Sequence, residues 1–154
     1  MKILEYNHSL QKTLTDMMVD YMAELACPIP QEVIRGKLSD AMDQMALSGL
    51  IRIRIAFAGD TPAGFSVFQI DQPGKDWCLR PGWGFVREFY VVPAWRKQGL
   101  GKDLETDTVK CLADMGAKGL YLTSTGAVPF WQRCGWKLSA EITEKGQAIL
   151  EKDF

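Results

Sequence analysis

Val91-Val92-Pro93-Ala94-Trp95-Arg96-Lys97-Gln98-Gly99-Leu100-Gly101-Lys102 is the stretch that decides how this chain folds. A β-rich run stops at Pro93, and a turn spelled Arg-x-x-Gly-x-Gly then opens a helix. Two glycines let backbone N–H groups crowd around one anionic group, and a helix N-terminus adds the positive end of its dipole. The segment reads as a pyrophosphate cradle. It is not a Walker loop, because Asp103 stands where Ser or Thr must follow the lysine. It is not a dinucleotide fingerprint either. The third small residue of that motif would fall at Leu104, and no βαβ unit opens the chain.

Composition narrows the setting. The chain has 154 residues, of which 47% are hydrophobic and 24% charged, a mix suited to one globular domain with one core over residues 1–154. A formal net charge of -1 gives no electrostatic footprint for nucleic acid or an anionic membrane. Met1-Lys2-Ile3-Leu4-Glu5-Tyr6 lacks an apolar leader core and no stretch approaches a membrane span, so the expected compartment is the cytoplasm. Cys27, Cys78, Cys111 and Cys134 form no C-x-x-C pair and read as free thiols. The single histidine, His8, cannot complete a zinc site with cysteines so scattered, and no metal is expected.

Periodicity supplies the elements around the turn. Residues 1–6 read as a strand. Leu14, Met17, Met18, Tyr21, Met22 and Leu25 fall at helical spacing, and Pro28 and Pro30 end that helix. Pro30 suits the first turn of a second helix, with Val33, Ile34, Leu38, Met42 and Met45 on one face and Gly49 as its stop. Ile51, Ile53, Ile55 and Phe57 then alternate with polar or small residues, the period of a half-buried strand. A turn at residues 58–62 leads to a return strand over 63–70. After a loop at 71–83, residues 84–92 form a third central strand. A helix over 99–115, a buried strand over 119–123, a short helix over 128–133 and two strands over 136–142 and 147–154 complete the order β-α-α-β-β-β-α-β-α-β-β.

The quoted turn resembles motif A of the Gcn5-related N-acetyltransferases, with Arg96, Gly99 and Gly101 at the motif positions and Val91 and Pro93 in register upstream. The element order is similar to that family's over nearly the whole chain. The resemblance implies an α/β fold with a mixed sheet of about seven strands, splayed at the acetyl-CoA site and flanked by four helices. It implies transfer of an acetyl group from acetyl-CoA, a co-substrate, to a primary amine of a small molecule or peptide, by direct attack in a ternary complex. A homodimer is an expectation from the same source. Pantetheine would lie as an extra strand against the backbone of Phe89, Tyr90 and Val91, facing residues 119–123. The pyrophosphate would rest on the N–H groups of Lys97, Gln98, Gly99, Leu100, Gly101 and Lys102, with Arg96 and Lys102 adding charge.

Phe130-Trp131-Gln132-Arg133-Cys134-Gly135-Trp136 resembles the family's late motif, with one departure: Trp131 replaces the tyrosine that protonates the departing CoA thiolate. An indole N–H is a donor but does not give up its proton near neutral pH. Ser124 stands where an asparagine is usual and is a candidate for contact with pantetheine. Glu88, on the strand feeding the turn, is the candidate base; alternation places it on the face of Tyr90 and Val86. Its bland alternative is a strand carboxylate paired with Arg52 or Arg54. Tyr90 is a second candidate acid, with core packing as its alternative. Cys134 reads as an inert buried thiol. Asp71, Asp76, Glu141, Trp77 and Trp83 are candidates for holding the amine. Against the enzyme reading stands a non-catalytic acyl-CoA-binding sensor or interaction domain, which Trp131 favours and Glu88 opposes.

Overall fold

A computed structural model describes residues 1–75, 78–124 and 126–154. These form a mixed seven-stranded sheet in the order β1-β2-β3-β4-β5-β7-β6. The strands are β1 (Lys2–Glu5), β2 (Arg52–Ala58), β3 (Thr61–Ile70), β4 (Gly84–Val91), β5 (Leu120–Ser124), β6 (Lys137–Ile142) and β7 (Ala148–Lys152). One face carries α1 (Gln11–Glu24) and a rod in which α2 (Gln31–Val33) passes through a π-helical stretch, Ile34–Leu38, into α3 (Ser39–Leu47). The other carries α4 (Leu100–Asp114) and α5 (Val128–Arg133). The expected order of elements and the mixed sheet are both present. Periodicity did not signal the π-helical stretch; Gly36 within it lowers helix propensity and leaves open space where a side chain would stand.

Each layer follows from its pattern. Ile51, Ile53 and Ile55 recur at a spacing of two and pack with Leu14, Met17, Met18, Ile34 and Met42 under α1 and α3. On the far face, Leu112 of α4 joins Phe68, Val86, Leu120, Leu122, Trp131 and Trp136. β3 is buried on both faces, which is why it reads as a nearly continuous apolar run.

One polar device locks the C-terminal strands to α4. Glu105 is 1% exposed. Its Oε1 accepts from Trp136 Nε1 at 2.9 Å and from Lys152 Nζ at 2.8 Å, while Lys152 also donates to the Cys134 carbonyl at 2.7 Å. Removing one partner of a buried charge strands the other. Lys152→Met is therefore expected to cost about 3 kcal/mol, read as a lowered urea midpoint with an unchanged slope.

Two irregularities shape β4. β4 and β5, the one parallel pair among the described strands, register only at Gly84 with Leu120 and Phe85 with Tyr121. Beyond that the strands part. On its other side β4 keeps pairing with β3 to Val91, with a register shift: Val67 opposes Glu88 and Phe68 opposes Val86. Arg87 is thus an extra residue, a β-bulge, and strict alternation fails across it. Val86 packs with Leu112 and Trp131, whereas Glu88 meets α1 and Tyr90 packs in the core beneath α1. Glu88 does share a face with Tyr90, but not with Val86 as alternation alone implies.

Candidate active site

The strand edge comes first. Val92 N–H bonds the Ala63 carbonyl across the β3–β4 ladder at 2.8 Å. In an antiparallel ladder, backbone groups alternate in direction. The N–H and C=O of Phe89 and Val91 therefore point away from β3, into the gap where β5 has diverged. Two of these four groups already have partners, the Val91 carbonyl taking Arg96 Nε and the Phe89 N–H lying on the Tyr21 hydroxyl oxygen, and the Phe89 carbonyl and the Val91 N–H are the edge groups that a string of amides can join.

The turn closes one end of that gap. A 3-10 turn, Pro93–Trp95, follows β4. Lys97 and Gly99 both take positive φ, 62° and 88°, and Gly99 is the N-cap residue of α4, with no side chain capping the helix. The first helical bond of this turn runs from Asp103 N–H to the Gly99 carbonyl at 3.1 Å, so the N–H groups of Leu100, Gly101 and Lys102 precede the helical ladder. A Cβ on Gly99 would meet nothing within 4 Å, whereas one on Gly101 would press on the Phe130 ring at 3.1 Å. The first glycine keeps space open outside the helix end, and the second lets α5 pack close. The Gln98 amide folds back to the Ala94 carbonyl at 2.9 Å. Lys102 is exposed and lies 3.8 Å from Glu105.

Arg96 has other partners. Its Nε donates to the Val91 carbonyl at 2.8 Å and its guanidinium pairs with Glu24 of α1 at 2.7 Å, over the Tyr90 ring. This side chain bridges the turn to α1, and an anion in the cradle would compete with Glu24 for it.

Glu88 occupies the α1 side of the gap. Arg52 and Arg54, its candidate partners, pair instead with Glu5 and Asp107. Glu88 Oε2 accepts a 2.5 Å hydrogen bond from the Tyr21 hydroxyl. Burial holds the Glu88 carboxyl above the ordinary carboxylate range, opposed by the Tyr21 hydrogen bond and the nearby Arg87 charge. Tyr21 stands edge-on to Phe65 at 5.6 Å and against Tyr90 at 5.4 Å. Its phenol is pushed well above the usual range by burial and by the Glu88 charge, with the Phe89 backbone N–H acting the other way on the same oxygen. Sequence reading misses Tyr21 as a functional group, because its spacing from Met17 and Met18 marks only a core stripe.

Tyr90 is 5% exposed and packs between Phe65, Tyr21 and Arg96. Trp131 lies on the opposite side of the sheet from Tyr21. It is also 5% exposed, wedged edge-on against Phe89 at 4.8 Å, Phe130 at 5.0 Å and Trp136 at 5.4 Å. Ser124 ends β5, and its hydroxyl accepts from Ala127 N–H at 3.3 Å, shaping the entry to α5. Cys134 is buried and its thiol is pushed up by that burial.

The remaining candidates are mostly occupied by structure. Asp71, 1% exposed, accepts from Gln69, from the Leu79 and Arg80 N–H groups and from the Tyr121 hydroxyl. It anchors the loop. Glu141 is exposed beside Arg80, and Trp83 stacks under the Arg80 guanidinium at 4.7 Å. Asp76 and Trp77 lie outside the described residues. His8 is not isolated: its Nδ1 meets Asp43 at 3.0 Å, and Asp43 also takes the Tyr6 hydroxyl. Among the described residues no cluster of histidine, cysteine and carboxylate side chains is placed to hold a metal ion, and no helix is long and apolar enough to cross a membrane.

The model of the acetyltransferase (GNAT) family matches residues 18–136. No curated protein matches the chain. Among solved structures, the PaiA N-acetyltransferase of Thermoplasma acidophilum, in complex with coenzyme A, is 20% identical over 99% of this chain and 98% of its own, at a TM-score of 0.76. The ribosomal-protein-alanine N-acetyltransferase of Brucella melitensis is 12% identical over 100% of both chains, at 0.76. AAC(6')-Iy, bound to the bisubstrate analogue CoA-S-monomethyl-acetylneamine, is 16% identical over 92% of this chain and 94% of its own, at 0.75. At such identities the likeness is one of fold.

Proposed function

Because the chain belongs to the GNAT acetyltransferase family, we propose that its single domain, residues 1–154, transfers the acetyl group of acetyl-CoA to a primary amine of a small molecule or peptide within a ternary complex. The observation that carries this reading is the parting of β4 from β5 after two registered pairs, with a half-buried carboxylate at its edge and an uncapped helix N-terminus at its end.

The residues fit the co-substrate. Gly99 leaves room where a phosphate must approach backbone, and the N–H groups of Lys97 to Lys102 supply donors without a competing side-chain cap. The Phe89 carbonyl and the Val91 N–H offer edge groups to pantetheine amides. Glu88 takes the proton of the attacking amine. Its raised pKa makes it a stronger base than an exposed glutamate. The acceptor enters from the side of α1, where Tyr21, Glu88 and Arg87 lie.

One observation favours a second reading, an acyl-CoA-binding domain without turnover: Trp131 is packed into the aromatic cluster and cannot donate a proton. CoA release followed with a thiol-reactive dye separates the two readings. The panel comprises polyamines, amino acids, aminoglycosides and peptides with free N-termini, the last two suggested by the neighbours of this fold. Calorimetry with acetyl-CoA runs alongside. Binding with acceptor-dependent release is the expected result. Binding with no release from any amine supports the sensor, and absence of binding overturns both.

A further inference from the structure

We infer that Tyr21 is the proton donor to the departing CoA thiolate, working as a pair with Glu88 in place of the missing tyrosine at position 131. This rests on the acetyltransferase reading above and assigns a residue that lies outside the two motifs.

Three observations converge. The residue at the family's usual donor position is Trp131, whose indole sits in a cluster with Phe89, Phe130 and Trp136 and has no proton to give near neutral pH. The Tyr21 hydroxyl reaches across from α1 to β4 at Glu88, just beyond the last registered β4–β5 pair, and donates to Oε2 at 2.5 Å. The same oxygen feels the Phe89 N–H, a group that the ladder directs into the gap. A phenol held there stands at the edge of the gap in which pantetheine would lie. Burial and the Glu88 charge keep that phenol protonated through the neutral range, so it holds a proton to give and releases it only as another arrives from Glu88.

The proton count closes. A neutral amine attacks the thioester carbon; the N–C bond forms and the C–S bond breaks, the electron pair leaving with sulfur. Glu88 takes the proton released by nitrogen. Tyr21 gives its phenolic proton to the thiolate as it takes one from the newly protonated Glu88 carboxyl, so no buried tyrosinate forms. The net change is one proton moved from amine to CoA, with both side chains restored. Nothing beyond the two substrates is required.

Tyr21→Phe removes one oxygen and keeps the ring that packs on Phe65 and Tyr90. The expected result is a kcat lowered by about 10- to 100-fold, within the range of general acid catalysis, with unchanged acetyl-CoA affinity by calorimetry and an unchanged acceptor KM. The acid limb of kcat/KM should also move to higher pH. Glu88 then loses the hydroxyl that stabilises its anion and keeps only the Arg87 charge against burial. The double variant Tyr21→Phe/Glu88→Gln should be no slower than Glu88→Gln alone, because both steps serve one proton path. A kcat within twofold of wild type, a loss confined to KM, or losses that multiply in the double variant would overturn the assignment. Wild-type protein that binds acetyl-CoA but releases no CoA to any amine would bring down the transferase reading and this one together. An active wild type with an unaffected Tyr21→Phe brings down this one alone.

Discussion

Gly99→Glu is expected to weaken acetyl-CoA binding at least 100-fold, about 2.8 kcal/mol, while the domain stays folded. Two properties of the residue set that outcome. Its φ of 88° lies where only glycine is unstrained, and a Cβ there would point into space that no protein atom fills. A side chain at this position costs roughly 1–2 kcal/mol of backbone strain, a fall in Tm of a few degrees for a chain of this length. It then occupies the region outside the helix N-terminus. Glutamate adds a negative charge where the helix end favours an anion, so it takes the place of the phosphate and repels it too. Gly99→Ala is the control: the same strain, no charge, and an intermediate loss. Calorimetry gives affinity and thermal unfolding gives the fold. A folded Gly99→Glu protein with wild-type affinity would remove the cradle from the site.

Glu88→Gln should lower kcat/KM by about 100- to 10,000-fold near pH 8, the usual range for a general base, and leave acetyl-CoA affinity intact. The deficit has a direction in pH. As the proposed base Glu88 would act only when ionised, and its pKa is raised by burial, so wild-type kcat/KM should climb as pH rises through that value. The variant lacks the climb. The gap between the two proteins therefore widens from low to high pH. Stability runs the opposite way. A carboxyl whose folded pKa is raised favours the folded state while protonated, and that contribution is lost as pH rises through the folded pKa. Glutamine carries no such cost and can still accept from Tyr21. The variant should melt higher than wild type at pH 8, by on the order of 2–4 °C for each kcal/mol recovered in a chain of this size, and the difference should vanish towards about pH 4. A fully active Glu88→Gln enzyme would exclude Glu88 from the mechanism.

The parts of this site that sequence makes legible are the ones fixed by local rules. Gly99 must be glycine because of its own backbone angle, and Pro93 and Gly135 punctuate where they do for the same kind of reason. Strand alternation in Ile51, Ile53 and Ile55 needs nothing but their own spacing. Arg87 shows where local rules stop. Its bulge arises from how β4 registers on β3, a property of two strands, and nothing in Gly84–Val91 alone announces it. Tyr21 and Arg96 stop being legible for a related reason. A tyrosine on an apolar stripe and an arginine in a phosphate-binding turn each have a default partner, and each is claimed here by a residue more than sixty positions away: Tyr21 by Glu88, Arg96 by Glu24. Long-range pairing of polar groups is set by the packed fold, after the pattern has chosen it.

The two registered pairs between β4 and β5 have a mechanical consequence. So short a ladder leaves few backbone bonds to hold the angle between the strands. Side-chain packing carries the rest, from the cluster of Phe68, Val86, Leu112 and Leu120 and from Phe89 of β4 set against Phe130 and Trp131 on the α5 side. Side-chain volume, more than hydrogen bonding, then props the two strands apart.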